Sequence, residues 1–264
     1  MSGTASSPDI SYAAADGVCR IVINRPEVHN AFREQTIHEL IEAFDRADAN
    51  SEVRVIVLSG AGQQAFSTGG EVDMEGEFTP DEGRRMARLL MRLAEAMRGT
   101  GKPTIAKISG WCVGGGNELN LFCDFSIAAE SARFAHTDAR LGNSPIWFGT
   151  QLMNRLVGEK LAKEIIMLGE TYTATEAARI GWINRAVPDD ELDAVVQSWC
   201  ERLLSHSPQS MRLTKTSINA DNDAVLASVR QGFEALTYIY GTAEFHEGTR
   251  AFLEKRRPRF RPEG

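Results

Sequence analysis

The sequence lacks the cysteine patterns that indicate a disulfide-stapled domain or a structural zinc site. Its four cysteines have no C-x-x-C spacing, and no histidines flank them at metal-ligand distances. It also has no apolar run of the ~18 residues that a membrane-spanning helix needs, and its small, polar N-terminus has no signal-peptide features. We therefore expect free thiols, no metal site, no membrane partner and a cytoplasmic location.

Positive charge is also scarce, because 36 acidic residues outnumber 29 basic ones and give a formal net charge of −7. Such a chain makes a poor general nucleic-acid binder, since phosphate neutralisation needs clustered Lys and Arg. The exception is a basic C-terminal cluster formed by Lys255, Arg256, Arg257, Arg259 and Arg261. Two interpretations of this cluster stay open: a solvated tail, or a contact with an anion such as a nucleotide phosphate.

Hydrophobic patterning indicates alternating strands and helices in the first half of the chain. Apolar, often β-branched runs predict strands at 18–24, 53–59, 104–109 and 125–129, and Asp16-Gly17 predicts a hairpin turn before the first of them. Helical periodicity predicts a helix over about residues 31–49. A second, amphipathic helix is predicted further on, with one apolar face formed by Met86, Leu89, Leu90, Leu93 and Met97. This alternation predicts an α/β fold with a parallel sheet. From about Thr150 the pattern is almost all helical.

Glycine-rich turns follow two of the predicted strands. The G-x-G-x-x-A match at 60–65 resembles a dinucleotide-binding fingerprint, but loop-like residues follow it instead of a helix, so we predict a plain turn. The segments at 65–71 (A-F-S-T-G-G-E) and 110–119 (G-W-C-V-G-G-G-N-E-L) are better placed to present backbone N–H groups to a developing oxyanion. From residue types alone, a pair of tight turns stays the alternative.

These two segments resemble the signature loops of the crotonase, or enoyl-CoA hydratase/isomerase, superfamily. The likeness covers nearly the whole chain, from the N-R-P-x-x-x-N-A stretch at 24–31 to the closing K-R-x-P-x-F stretch at 255–260. It implies an α/β, crotonase-type ββα spiral core at 1–200 that carries the coenzyme A and active sites. It also implies a helical part at 201–264 that assembles the chain into a homotrimer or homohexamer. No separate cofactor is implied, because coenzyme A is part of the acyl-CoA substrate.

The same resemblance implies roles for individual residues. The backbone N–H groups of Gly70 and Gly115 would form the oxyanion hole. Coenzyme A would bind, largely through backbone groups, at the segment positions Val28, Ala31, Ala65, Ser67 and Thr68. Lys255 would reach the nucleotide phosphates, in this subunit or a neighbouring one.

Two carboxylates match the catalytic pair of the family's hydratases. Glu118 and Asp138 lie 20 positions apart, as in the family pattern, and can work as general acid and base on water and the α-carbon. Asp138 is one methylene shorter than the usual Glu, and Glu71 stands where the family usually has Asp. Bulky Ile146-Trp147-Phe148 replaces a small Gly-Ala-Gly stretch, and we expect an acyl pocket formed by Trp147, Phe148 and Tyr240.

Hydration is therefore the first prediction, and three alternatives stay open. The C-terminal stretch, including Tyr240 and Glu247-Gly248, resembles ring-forming naphthoate (dihydroxynaphthoyl-CoA) synthases and ring-opening ketocyclohexanecarboxyl-CoA hydrolases. The catalytic aspartate of those enzymes aligns with Pro145 here and is missing. A double-bond isomerase needs only one carboxylate. A non-catalytic or RNA-binding relative is disfavoured by the net charge and by the intact pair of carboxylates.

Overall fold

The computed structural model describes residues 8–72, 78–223 and 225–260. The chain begins with an antiparallel hairpin of β1 (Ile10–Ala15) and β2 (Val18–Ile23). Asp16 and Gly17 form its turn with φ angles of 50° and 79°. A two-residue turn with two positive φ angles matches the twist of the flanking strands, so the predicted hairpin is confirmed.

Two sheets form the centre of the molecule. The larger has the order β1-β2-β3-β5-β7-β10 and is parallel from β2 onward; the smaller has the order β4-β6-β8-β9. The strands that follow the hairpin are β3 (Val55–Gly60), β4 (Ala65–Ser67), β5 (Thr104–Ile108), β6 (Trp111–Val113), β7 (Phe125–Ala129), β8 (Arg133–Ala135), β9 (Tyr172–Thr173) and β10 (Arg185–Val187). The four predicted apolar strands are thus confirmed, with small differences at their ends.

The described residues form ten α-helices. They are α1 (Glu34–Ala49), α2 (Pro80–Gly99), α3 (Gly115–Phe122), α4 (Gly149–Val157), α5 (Glu159–Leu168), α6 (Ala174–Arg179), α7 (Leu192–Leu204), α8 (Pro208–Asp223), α9 (Leu226–Thr237) and α10 (Ala243–Leu253). A strand in the large sheet, a strand in the small sheet and a helix follow one another as β3-β4-α2 and β5-β6-α3. This repeat is the predicted ββα spiral. No helix in the described ranges is long and apolar enough to cross a membrane.

The large sheet is covered on both faces because its buried side chains alternate. Ile56 and Leu58 of β3 face the main core with α1 and α2, whereas Val55 and Val57 face a second cluster with α7. Strands buried on both faces are continuous in apolar residues, which explains why β3 was easy to find in the sequence. All four cysteines are free, as predicted.

The C-terminal half differs from its almost wholly helical prediction. It contributes β9 to the small sheet and β10 to the edge of the large one. The boundary predicted at residue 200 lies inside α7, and the two-part division stays a prediction. Helix α8 is tied to the core by Lys215, whose Nζ lies 2.8 Å from Asp124 Oδ2. Helix α9 packs on α2, and α10 packs on the 3-10 turn Asp138–Leu141.

Candidate active site

One cavity collects most of the residues singled out in the sequence. It is bordered by the Gly70 loop (residues 68–71), the start of α3, the 3-10 turn that begins at Asp138, and α2 and α9. The predicted site residues that line it are Thr68, Gly70, Gly115, Glu118, Asp138, Trp147 and Tyr240. Residues from both predicted parts of the chain therefore meet at a single site.

The Gly70 loop pairs with the backbone of Phe32 through an isolated parallel bridge between Phe32 and Gly70. The Phe32 N–H donates to Gly69 O at 2.8 Å, and the Glu71 N–H donates to Phe32 O at 3.2 Å. Along an extended chain successive N–H groups point to opposite sides. The N–H of Gly70 therefore points away from Phe32, and no described residue accepts a hydrogen bond from it.

An ion-pair frame supports this loop from behind. Glu71 Oε1 lies 2.5 Å from Arg25 Nη1, which also donates to Ala31 O at 2.7 Å. Asp9 pairs with Arg25 and more closely with Arg33. Burial alone would raise the pKa of Asp9, but its hydrogen bonds with Arg33 and Thr36 and the charge of Arg25 leave the pKa lowered. Glu71, one methylene longer than the family's usual Asp, thus anchors the loop to the first strands.

The second glycine segment starts helix α3. Gly114 precedes the helix with φ 51°, and Gly115 is the first helical residue. The N–H groups of a helix's first turn have no intrahelical acceptor and lie at the positive end of its dipole. The two loops are in close contact: a Cβ added to Gly69 would lie only 2.8 Å from Gly115 N. Backbone donors from both loops therefore border the same cavity, an arrangement suited to an oxyanion.

The two predicted acids also open on this cavity. Glu118 is 5% exposed, and its Oε1 accepts a hydrogen bond from the Gly149 N–H at 3.1 Å. The Asp138 side chain is 14% exposed. A Cβ added to Gly114 would lie 3.8 Å from Asp138 Oδ1, so this carboxylate sits beside the N-terminus of α3. The geometry thus brings two carboxylates and two backbone donors together.

Two of the three predicted acyl-pocket side chains line the cavity. Trp147 is fixed by donation from its Nε1–H to Leu90 O at 2.9 Å and by an edge contact with Phe122. The ring of Tyr240 stands edge-on to Phe78 and Phe245, with centroids 5.7 and 5.1 Å apart.

Phe148 differs from its prediction, because it is not among the residues that line this cavity. Its φ of 66° is in the left-handed region, at the residue that precedes α4. Its ring packs instead on Phe122, at a centroid distance of 5.5 Å, and beneath the guanidinium of Arg98. Phe148 therefore supports the pocket wall from behind.

Of the residues assigned to coenzyme A, Thr68 lines the cavity, and Val28, Ala31, Ala65 and Ser67 do not. Val28 is 37% exposed, whereas Ala31, Ala65 and Ser67 are buried. Ser67 Oγ donates to Asn30 O at 2.8 Å, so it is already engaged inside the protein. Only backbone groups of the buried positions are in a position to serve a ligand, in line with the backbone recognition that the resemblance implies.

Lys255 lies at a distance from these residues in the chain, after the end of α10, and is exposed. It does not line the cavity. Its neighbour Arg256 pairs with Glu247 at 2.6 and 2.9 Å, and this lowers the pKa of Glu247 to about 2. Arg261 lies outside the described residues.

Several residues that line the cavity were not predicted from the sequence. Phe32, Asn143 and Ser144 line it, as do Phe233 and Leu236 of α9. Asn143 and Ser144 directly precede Pro145, the position that aligns with the catalytic aspartate of the ring-forming and ring-opening enzymes, so their place in the sequence was a usable signal. The α9 side chains carried no such signal, because only the packing of α9 on α2 brings them there.

Comparisons with known proteins show the family and the fold that this chain resembles. The model of a family described as enoyl-CoA hydratase/isomerase matches residues 13–263. An enoyl-CoA hydratase from Mycobacterium avium subsp. paratuberculosis K-10 is 28% identical, with a TM-score of 0.88 and coverage of 96% of this chain and 98% of that one. An enoyl-CoA hydratase/isomerase from Xanthobacter autotrophicus Py2 is 32% identical, with a TM-score of 0.85 and coverage of 94% and 97%. An enoyl-CoA hydratase from Bacillus anthracis is also 32% identical, with a TM-score of 0.78 and coverage of 97% and 100%.

Proposed function

Because this chain belongs to the enoyl-CoA hydratase/isomerase family and has its crotonase-type fold, we propose that it adds water reversibly to an α,β-unsaturated acyl-CoA. The observation that carries this proposal is the meeting of Glu118 and Asp138 in the cavity that Gly70 and Gly115 border. A hydro-lyase needs an acid and a base on one substrate, and a single carboxylate would serve an isomerase.

The proposed reaction places the thioester carbonyl between the two backbone N–H groups. One carboxylate takes a proton from water as the water oxygen bonds to the β-carbon. The electron pair of the double bond moves to the thioester oxygen, where the N–H groups stabilise the enolate. The enolate then takes a proton at the α-carbon from the other, protonated carboxyl group, which gives a 3-hydroxyacyl-CoA. We propose no cofactor beyond the coenzyme A of the substrate, held along 28–31 and 65–68.

A ring-forming or ring-opening reaction is the second candidate. The aromatic side chains Trp147 and Tyr240 in the cavity favour it, since they suit a cyclic acyl group. The position at which such enzymes carry their aspartate is Pro145 here, so the order of the two candidates stands.

Assembly as a homo-oligomer is part of the proposal. The C-terminal region leaves large apolar side chains exposed on α8 and α10: Leu213 66%, Ile218 62%, Phe252 57% and Leu253 54%. We propose that these side chains form part of a contiguous apolar patch, because such patches mark association sites. We expect a trimer or a hexamer of cytoplasmic chains, and light scattering during size-exclusion chromatography measures the mass.

The test of the reaction is loss of the absorbance of the conjugated thioester, with crotonyl-CoA and with cyclic enoyl-CoAs as substrates. Glu118→Gln and Asp138→Asn should each lower kcat by about 10²- to 10⁴-fold, the usual contribution of general acid–base catalysis. The matched control Glu42→Gln changes an exposed glutamate of α1 and should leave the rate unchanged. Deuterium uptake without hydration would indicate an isomerase, and turnover of a cyclic β-ketoacyl-CoA alone would indicate a ring-opening hydrolase.

A further inference from the structure

His136 is a fully buried side chain at 0% exposure, two residues before Asp138, to which the proposed reaction gives no role. Its Nδ1 faces Asp138 Oδ2 at 3.5 Å. Both atoms are buried, and neither has a hydrogen-bond partner among the described residues. Two buried polar atoms without other partners that face each other need an explanation, because an unsatisfied buried group is costly.

The proton on His136 can be placed by following the network away from the site. Asn117 Oδ1 accepts from the Trp182 Nε1–H at 3.0 Å and from Asn120 Nδ2 at 3.3 Å. An indole N–H can only donate, so the oxygen of the Asn117 amide must face Trp182. The Asn117 Nδ2 group, a donor only, therefore faces His136 Nε2 at 2.7 Å.

This contact fixes the tautomer of the imidazole. His136 Nε2 must accept from Asn117, so the ring is neutral and its single proton sits on Nδ1. A charged ring would set two donors against each other at 2.7 Å. The proton then sits on the ring nitrogen that faces Asp138 Oδ2, at 3.5 Å and short of a formed hydrogen bond. The imidazole lies parallel to the Trp182 ring, with 2° between the planes and 6.1 Å between the centroids.

We propose that His136 is a positioning residue that keeps Asp138 Oδ2 an unprotonated acceptor and leaves Oδ1 to exchange protons in the cavity. A proton on Oδ2 would face the Nδ1–H as a second donor. Both oxygens lie near the N-terminus of α3, 3.8 and 4.0 Å from a Cβ added to Gly114, but only Oδ2 is a buried atom without a hydrogen-bond partner among the described residues. This role matters because Asp138 is one methylene shorter than the family's usual Glu. Its carboxylate therefore reaches the substrate only if the side chain is held in the right orientation. This inference rests on the proposed function of Asp138.

Two amide variants separate this role from simple core packing. In His136→Asn the side-chain amide nitrogen occupies roughly the place of imidazole Nδ1 and still donates toward Asp138. In His136→Gln the amide reaches the place of Nε2, keeps a partner for Asn117, and leaves Asp138 Oδ2 without a donor. We expect His136→Gln to lower kcat about 10- to 100-fold with KM within about twofold, since ångström-scale misplacement of a catalytic group costs about 10²-fold. His136→Asn should retain kcat within about threefold of wild type by the same reasoning. Equal losses in both variants, or full activity in His136→Gln, would overturn the proposal.

A spectroscopic measurement tests the proton position without any substrate. The chain has five histidines, so ¹⁵N-histidine labelling gives few signals, and those of His136 are the ones that His136→Asn removes. The expected spectrum shows a protonated Nδ1 and an unprotonated Nε2; the reverse tautomer or a doubly protonated ring would refute the inference. If the tautomer is as expected but hydration is not catalysed, the proposed function fails and the proton assignment stands. Because both variants alter a buried residue, their thermal midpoints are compared with wild type before rates are interpreted.

Discussion

Gly149→Ala should impair catalysis by moving Glu118. A methyl carbon at position 149 would lie 2.8 Å from Glu118 Oε1, 2.9 Å from Pro145 Cβ and 3.3 Å from His136 Cε1. Carbon–oxygen contacts need about 3.3 Å and carbon–carbon contacts about 3.5 Å. The methyl group cannot move away with the backbone of α4, because that backbone is held by close packing. The Glu118 carboxylate must therefore move away from the methyl group by about half an ångström.

We expect this shift to lower kcat about tenfold while KM stays nearly constant, since a 1 Å misplacement costs about 10²-fold. Overpacking costs about 1–3 kcal/mol, partly offset by up to ~1 kcal/mol from the better helix propensity of alanine, so the protein stays folded. The matched control is Gly99→Ala in α2, where a Cβ meets no atom within 4 Å. The kcat and KM for hydration and the thermal unfolding midpoint are measured for both variants and compared with those of the wild type. Wild-type kcat in Gly149→Ala would refute the steric reasoning.

Two further predictions concern the supports of the site and of the C-terminus. Glu71→Ala should lower kcat about tenfold, because the Gly70 loop loses its anchor to Arg25 and the Gly70 N–H shifts out of position. Glu71→Gln keeps an acceptor for Arg25 and should retain most of the activity. Equal rates in the two variants would contradict this reasoning. The lowered pKa of Glu247, about 2 against an ordinary 4.5, means that its pairing with Arg256 is complete above pH 4.5 and is lost as the pH falls toward 2. Glu247→Gln imitates that loss at neutral pH, so trypsin should cleave after Arg256 faster than in wild type, and an unchanged cleavage rate would count against the pairing.

The fold could be predicted where periodicity extended over enough residues. Strand β3 and helix α2 are long, strongly apolar on their buried sides and bounded by turn residues, so local pattern and tertiary structure agree. Strands β9 and β10 have two and three residues. Segments of that length have no measurable period, and β10 exists because β7 offers it a parallel edge. They were therefore assigned to the surrounding helices.

The candidate site could be predicted from the sequence only at positions that match the family's motifs. Matching the sequence to those motifs predicted the roles of Glu118, Asp138 and the two glycine loops, and the structure brings these residues to one cavity. Motif matching could not separate Trp147 from Phe148, because a single positive φ sends adjacent side chains to different surroundings. It also missed the proton network of His136, because Asn117 and Trp182 lie 19 and 46 residues from His136 in sequence and meet it only in the folded chain.

Helix α3 carries several of the groups that the proposed reaction needs. It has only eight residues, yet its first residue, Gly115, presents an N–H to the cavity and Glu118, three residues later, opens on the same cavity, as i and i+3 positions do. Between them Asn117 points into the network of His136, so one rigid, buried helix sets the distance between oxyanion donor, carboxylate and proton network. The other wall of the cavity comes from residues 143–147 and from α9, and it meets α3 through the edge contact of Trp147 with Phe122. Changes on that wall should therefore alter which acyl group fits, and a change at Trp147 should also act on α3 through Phe122.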